Sequence, residues 1–197
     1  MVVSSVKGGK AMQATDVLRE EHEVILRVLA GVRELVRRLE AGEPVEADLV
    51  ELVLEFITGF ADGCHHRKEE DNLFPLLAKR GLPREGGPVA VMLREHELGR
   101  QLVRDMRDAL AGLKQGDVAA AADLARAARS YHDLLQEHID KENGVLFPMA
   151  DRMLSKEDGR VLVERFEHVE REEVGSGEHE RFLALVEEIE RRLKPAG

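Results

Sequence analysis

Two stretches of the chain carry a histidine followed four residues later by a glutamate. CHHRKEEDNLFP contains His65 and Glu69, and EHIDKENGVLFP contains His138 and Glu142; the two stretches align without a gap. On a helix, positions i and i+4 lie on one face about 6 Å apart. Each imidazole and carboxylate pair can therefore bind the same metal ion.

A second repeated element lies upstream of each pair. EEHEVILRV contains His22 and REHELGRQL contains His96, with the Glu-His-Glu triplet in register. His96 follows His22 by 74 residues and His138 follows His65 by 73 residues, so the pattern is an internal duplication. Each half predicts a helical hairpin with one histidine on its first helix and His-x-x-x-Glu on its second.

Two such hairpins, packed as a pseudo-twofold bundle, would bring four histidines and two glutamates inward. This set suits two metal ions, because each ion receives two imidazoles, each glutamate bridges, and a bridging oxide or hydroxide and an open position remain. Mixed imidazole and carboxylate donors favour iron, with manganese or zinc as alternatives. The absence of thiolate ligands argues against a structural zinc site or an iron–sulfur cluster.

A purely structural interpretation competes with metal binding. His-x-x-x-Glu pairs also arise as helix-stabilising contacts, and a repeat kept for packing would show the same self-similarity. Three potential ligands recur at matching offsets in both halves together with Leu-Phe-Pro. This recurrence favours metal binding.

The elements that must position these residues are helices. Leu, Val, Ile and Ala recur at three- and four-residue spacing through most of the chain, and no convincing alternating strand is found. The predicted helices run from Thr15 or Asp16 to 41–44, from about Val45 to Lys79, from 86–88 to 114–117, and from there to about Met153. Their short connections predict antiparallel neighbours, hence an all-α, up-down-up-down four-helix bundle.

The remaining residues predict an appended C-terminal helical hairpin. Ser155 and Asp158 form a capping-box pattern, and Gly-Ser-Gly at 175–177 separates two helical stretches. The predicted domains are the bundle, 15–153, with its repeat 15–80 and 88–153, and a helical extension, 154–197, packed on the bundle.

The same alignment of the two halves shows which residues next to the candidate ligands are shared and which are not. His66 aligns with Ile139 and Glu70 with Asn143, so neither belongs to the shared set. One position along a helix turns a side chain by about 100°, which takes His66 off the face of His65. Both residues are therefore predicted to lie outside the site.

The sequence also allows a specific prediction for each of four further residues. Pro75 and Pro148 predict a kink or an altered turn just beyond the glutamates. Tyr131 is on the face of His138, where its hydroxyl can reach a bridging carboxylate or a bound oxygen species; a half-buried core tyrosine is the alternative. His179, in a third Glu-His-Glu triplet, is a candidate seventh ligand or gate, and an exposed histidine is the alternative.

Composition limits the partners. A net charge of −10 opposes binding to nucleic acid or anionic lipid. The start of the chain lacks the apolar core of a signal peptide, the apolar runs are broken by charges, and Cys64 is the single cysteine, so a cytoplasmic protein is expected. The sequence does not indicate an oligomeric state.

At the quoted motifs the chain resembles the hemerythrin-like HHE cation-binding family, in its symmetrical H-HxxxE-H-HxxxE subgroup. The resemblance covers about residues 15–153 and implies a four-helix bundle with a non-heme di-iron centre, in which the glutamates bridge. The ligands that it implies are His22, His65, Glu69, His96, His138 and Glu142. Oxygen-carrying hemerythrins differ in having HxxxH on the third helix; here Arg100 stands at the second of these positions, which argues against simple oxygen carriage.

Members of this family are associated with sensing oxygen or iron, responding to nitric oxide, repairing iron centres and decomposing peroxide, and the fold does not choose among these roles. A cysteine-rich N-terminal segment, typical of the repair proteins, is not found here. The leading hypothesis is a di-iron protein that binds O2, peroxide or NO at open iron positions in sensing, carriage or stress response. The alternatives are a peroxide-decomposing oxidoreductase and a metal-storage or structural helical module.

Overall fold

The computed structural model describes residues 13–117, 119–175 and 177–194, and these residues form helices and no strand. In chain order the helices are α1 (Ala14–Glu40), α2 (47–79), α3 (Gly87–Lys114), α4 (120–153), α5 (156–174) and α6 (Glu178–Arg192). Helices α1 to α4 form the up-down-up-down bundle, and α5 and α6 are the appended helices, so the predicted fold class is confirmed.

Helices α2, α4 and α5 change from α-helical to π-helical geometry along their length. Helix α2 comprises Ala47–Phe56, the π-helical Ile57–His66 and Glu69–Leu73, and Phe74–Lys79. Helix α4 comprises Ala120–Lys141, the π-helical Glu142–Leu146, and Phe147–Met153, while α5 passes from Lys156–His168 into the π-helical Val169–Val174.

Two of the π-helical segments begin at the candidate glutamates Glu69 and Glu142. The Phe74 N–H donates to the carbonyl of Glu69, five residues earlier, and the Phe147 N–H donates to that of Glu142. A proline follows each phenylalanine; it lacks an N–H, and its ring would clash with the carbonyl four residues earlier in an ordinary α-helix. The wider turn accommodates the proline, and the predicted altered turn is confirmed.

A layer of polar side chains divides the core of the bundle. On α1, Leu18 belongs to one apolar cluster and Ile25 to another, and His22 lies between them on the same stripe. The other bundle helices repeat this arrangement: His96 on α3, for example, lies between Met92 of the first cluster and Val103 of the second. The candidate ligands are thus held between two apolar regions that fix their helices.

The C-terminal helices pack on the first hairpin. Helix α6 contacts α1 and α2, and its Phe182 and Ile189 join the same apolar cluster as Ile25. The Ser155 side chain accepts from the backbone N–H of Asp158, which forms the capping box at the start of α5. The division into a bundle domain and an extension stays a prediction. Within the described residues, no helix has the length and apolar character needed to cross a bilayer.

Candidate metal centre

All six candidate ligands lie in the polar layer, one or two from each bundle helix. Each is at most 1% exposed. Among the described residues, three groups of side chains have potential ligand atoms within 4.8 Å of one another; one joins His66 to His96 and His138, and the other two consist only of candidate ligands. The first of these two groups is His22, His65, Glu69 and Glu142, and the second is His96, His138, Glu69 and Glu142. Both carboxylates belong to both groups, which is the arrangement that bridging requires.

Distances within the layer link the two halves of the chain. Glu142 Oε2 lies 3.1 Å from His22 Nε2 and 3.3 Å from His138 Nε2. Glu69 Oε2 lies 3.4 Å from His96 Nε2 and 3.9 Å from His65 Nε2. Each carboxylate therefore approaches one histidine from each half.

The close approach of two nitrogens fits a shared ion. His96 Nε2 and His138 Nε2 are 3.1 Å apart. Two nitrogens that bind one divalent ion at about 2.1 Å each lie about 3 Å apart when their bonds are at right angles. The observed spacing is compatible with two ligands of one ion.

Several buried polar atoms in this layer have no hydrogen-bond partner. They are Nε2 of His22, His65 and His66 and all four carboxylate oxygens of Glu69 and Glu142. Leaving such atoms unpaired costs free energy, and each case in a folded protein needs an explanation. Lone pairs of neutral imidazoles facing carboxylate oxygens are all acceptors, so cations are the partners that would satisfy them.

Burial sets the charges of this layer. Burial and the neighbouring Glu142 raise the pKa of Glu69 well above its ordinary value. Burial and neighbouring imidazoles hold the pKa of His65 and of His96 well below the ordinary value. The two imidazoles are therefore neutral near pH 7, which is the form that binds metal.

The other nitrogen of each candidate histidine is held by an oxygen of a neighbouring helix. The Nδ1 contacts are His22 with Asn143 Oδ1 at 3.0 Å, His65 with Glu21 Oε2 at 2.9 Å, His96 with Glu70 Oε1 at 2.6 Å, and His138 with Glu95 Oε2 at 3.0 Å. An acceptor at Nδ1 fixes the hydrogen there, so Nε2 presents a lone pair to the centre.

These acceptors extend the internal repeat beyond the ligands. Glu21 and Glu95 each precede the histidine of the Glu-His-Glu triplet, and each also contacts a lysine, Lys68 and Lys141 respectively. The register of the Glu-His-Glu triplets is a sequence signal for the shared role of Glu21 and Glu95. Lys68 is fully buried and has a second acidic partner, Glu170 of α5.

The prediction that His66 and Glu70 lie outside the site is wrong. His66 is 5% exposed, and its ring stacks on that of His96 with centroids 3.8 Å apart. The π-helical segment that ends at His66 is the reason: its wider turn separates successive side chains by a smaller angle, so His65 and His66 both face the interior. Glu70 holds Nδ1 of His96, at the position where Asn143 holds His22.

A cavity of about 220 Å³ reaches this layer from one side. Asp62, His66, His96, Gly99 and Arg100 line its polar part. Tyr131 lines it too.

Tyr131 is 2% exposed, and burial raises its pKa. No hydrogen bond joins its hydroxyl to the oxygens of Glu69 or Glu142, so its predicted contact with a bridging carboxylate is not formed here. The backbone of His179 lies at the start of α6, but its side chain is outside the part of the chain that the structure describes.

Comparisons with known proteins agree with this geometry. The sequence model of the Hemerythrin HHE cation binding domain matches residues 13–150. The uncharacterized protein Rv1995 of Mycobacterium tuberculosis (strain H37Rv) is 28% identical over 180 residues, which cover 91% of this chain and 70% of the relative. The iron-sulfur cluster repair protein YtfE of Salmonella newport is 31% identical over 125 residues, 59% of this chain and 56% of the relative. No solved structure matches the chain significantly.

Proposed function

Because the chain belongs to the hemerythrin HHE cation-binding domain family, we propose that it holds two iron ions and binds O2, peroxide or NO at open iron positions, in sensing, carriage or stress response. The coarser conclusion, a helical protein with a metal-binding site, follows from the family and from the clustered histidines and glutamates.

The observation on which the proposal rests is the position of Glu69 and Glu142, which both belong to both groups of candidate ligands. Glu69 and Glu142 are completely buried, and their four oxygens lack hydrogen-bond partners. Two neighbouring carboxylates in a water-poor layer are stable as anions only beside cations. The donor set of four imidazoles and two carboxylates suits iron, with manganese or zinc as alternatives.

The bound irons would supply redox and Lewis-acid chemistry. Glu69 and Glu142 would hold the ions near one another, and the four histidines would each offer Nε2 as a ligand. Six protein ligands would leave positions for an exogenous molecule and for an oxide or hydroxide. The cavity of about 220 Å³ gives a small ligand room to approach.

The test is anaerobic loading with ferrous iron, followed by metal analysis and visible spectroscopy. We expect about two irons per chain, near-ultraviolet charge-transfer bands after oxidation, and a reversible spectral change with NO. Glu69→Ala and His138→Ala should lose iron, whereas His132→Ala is the matched control, because His132 lies on the same helix and contacts Asp133 outside the cluster. A folded protein that takes up no iron would contradict the proposal.

The same iron-loaded protein can be used to test for peroxide chemistry. Oxygen released from added peroxide, and abolished by Glu69→Ala, would assign a peroxide-decomposing activity; a stable adduct without turnover would assign sensing or carriage. Retention of iron with no response to O2, peroxide or NO would indicate storage or a structural role.

The similarity to YtfE supports a second candidate, a role in iron-sulfur cluster repair. The test is transfer of iron from the loaded protein to an apo iron–sulfur protein, followed by the absorbance of the rebuilt cluster. Transfer no faster than from free ferrous iron would contradict it.

A further inference from the structure

We infer that the inner end of the cavity is a binding site for hydroperoxides, in which His66 accepts a hydrogen bond from the ligand. The inference rests on the proposed metal centre and names the ligand class for it. Hydrogen peroxide and short alkyl hydroperoxides have the hydrogen that this site requires, whereas O2, NO and azide have none.

The orientation of the His66 ring indicates that His66 and His96 do not bind the same metal ion. Its ring lies nearly parallel to that of His96, with 17° between the planes and 3.8 Å between the centroids. A bound ion lies in the plane of each imidazole that binds it, so two rings stacked face to face cannot share one ion. A ring nitrogen of His66 is nevertheless within 4.8 Å of ligand nitrogens of His96 and His138. His66 therefore lies next to two ligands of the proposed ion, His96 and His138.

The neighbours of His66 select its tautomer. Its Nδ1 lies 3.3 Å from Asp62 Oδ1, and Arg100 Nε donates to the same carboxylate oxygen at 3.0 Å. A carboxylate accepts, so the hydrogen of the neutral ring is on Nδ1 and Nε2 carries a lone pair.

The lone pair of His66 has no partner among the described residues. Nε2 is buried and forms no hydrogen bond, in a ring that also lines the cavity. A hydrogen-bond donor that reaches this atom from the cavity would satisfy it. A ligand with an O–H group is such a donor, and a diatomic ligand is not.

The cavity also suits a ligand larger than a diatomic molecule. Its volume of about 220 Å³ exceeds the roughly 30 Å³ that a water molecule occupies in the liquid. Ile57, Val103 and Leu135 are apolar residues of the cavity wall. A short alkyl group can contact these side chains while the O–H group faces His66.

The test uses the zinc-loaded protein, because zinc has no redox chemistry and cannot consume a peroxide. Binding of tert-butyl hydroperoxide and of azide is measured by NMR titration. In His66→Phe, which keeps a stacked ring but removes both nitrogens, we expect hydroperoxide affinity to fall about 5- to 10-fold while azide affinity changes less than about 2-fold.

A second variant tests the tautomer. In Asp62→Asn the amide can donate to Nδ1, which moves the ring hydrogen to Nε2 and turns an acceptor into a donor. We expect the preference to reverse, with weaker hydroperoxide binding and tighter azide binding. A general loosening of the cavity would change both ligands in the same direction.

The outcomes separate this inference from the proposed function. If the wild type takes up neither iron nor zinc, the metal centre itself is wrong. If it binds zinc but neither variant changes the hydroperoxide-to-azide ratio, or zinc-loaded protein binds no hydroperoxide, the inference is overturned and the metal centre stands. Loss of one zinc ion in His66→Phe would make His66 a ligand and would also overturn it.

Discussion

Lys68 and Glu170 form a 2.6 Å ion pair that joins the second bundle helix to the C-terminal helices. Lys68 is fully buried and also contacts Glu21, which holds Nδ1 of His65. The equivalent lysine of the second half, Lys141, has a side chain that is 41% exposed. The C-terminal helices therefore cover the lysine of the first half and leave the equivalent lysine of the second half exposed.

Glu170→Ala should lower the free energy of unfolding by about 1–3 kcal/mol, because a buried ammonium loses one of its two carboxylate partners. The measurement is urea unfolding followed by circular dichroism. Glu164→Ala is the control, since Glu164 is an exposed glutamate on the same helix. Equal effects of the two substitutions would show that the contact with Lys68 contributes nothing.

Glu70→Gln should weaken metal binding in the second half of the centre. Glu70 gives His96 a charged acceptor at 2.6 Å, whereas His22 has only the neutral amide of Asn143 at 3.0 Å. Loss of such a partner weakens metal affinity about 10- to 100-fold. Competition with a chromophoric zinc chelator measures the change.

The control for Glu70→Gln is Glu97→Gln, because Glu97 also faces Arg100 but contacts no histidine. Asn143→Asp should have the opposite effect and tighten zinc binding. Unchanged affinity in Glu70→Gln, or an equal loss in Glu97→Gln, would argue that the Nδ1 partner does not influence the ion.

Gly99→Leu should block the cavity without emptying the centre. A Cβ at Gly99 would meet only a ring carbon of Tyr131, at 3.7 Å, so a longer side chain can extend into the cavity. The association rate of NO with the ferrous protein should fall on the order of 10-fold, because NO could then enter only when the side chains of the cavity wall rearrange. Stopped-flow absorbance gives the rate; an unchanged rate would mean that ligands enter elsewhere. Gly159→Leu, where nothing lies within 4 Å, is the control.

Cys64 should be unreactive in the folded protein. Burial, with the nearby Glu21, raises the pKa of its thiol to about 12. The reactive thiolate is therefore scarce at pH 8 and increases only as the pH approaches that value, whereas an unfolded cysteine has a pKa near about 8.5. Ellman's reagent should react slowly with native protein and fast in urea. Rapid, complete reaction of the native protein at pH 8 would show that the thiol is accessible.

The fold was predictable because helical periodicity and the duplication are both local signals. The spacing of His65 and Glu69, repeated in His138 and Glu142, placed these residues on one helical face, and the structure groups them. His66 was misplaced because the prediction applied the α-helical angle of about 100° to a segment that is π-helical. The residues of the segment Ile57–His66 form no pattern that predicts its π-helical turn.

The partners of the histidines were harder to predict because they come from other helices. The contact of Asp62 with Arg100 depends on how α2 packs against α3, and the burial of Lys68 depends on α5. Sequence spacing constrains residues within one helix. It carries no information on which side chains meet across a helix interface unless a repeat reveals them, as the register of the Glu-His-Glu triplets could have done for Glu21 and Glu95.

The oxygen that holds Nδ1 of each candidate histidine belongs to the protein itself, so the rings are oriented before any ion arrives. Sites that are assembled by their metal make folding depend on metal supply. Here the fold itself sets the ring orientations. For the proposed iron centre we therefore expect that a cell short of iron accumulates the folded chain and fills it when iron returns, so synthesis would set the amount of protein and iron supply the fraction that is loaded.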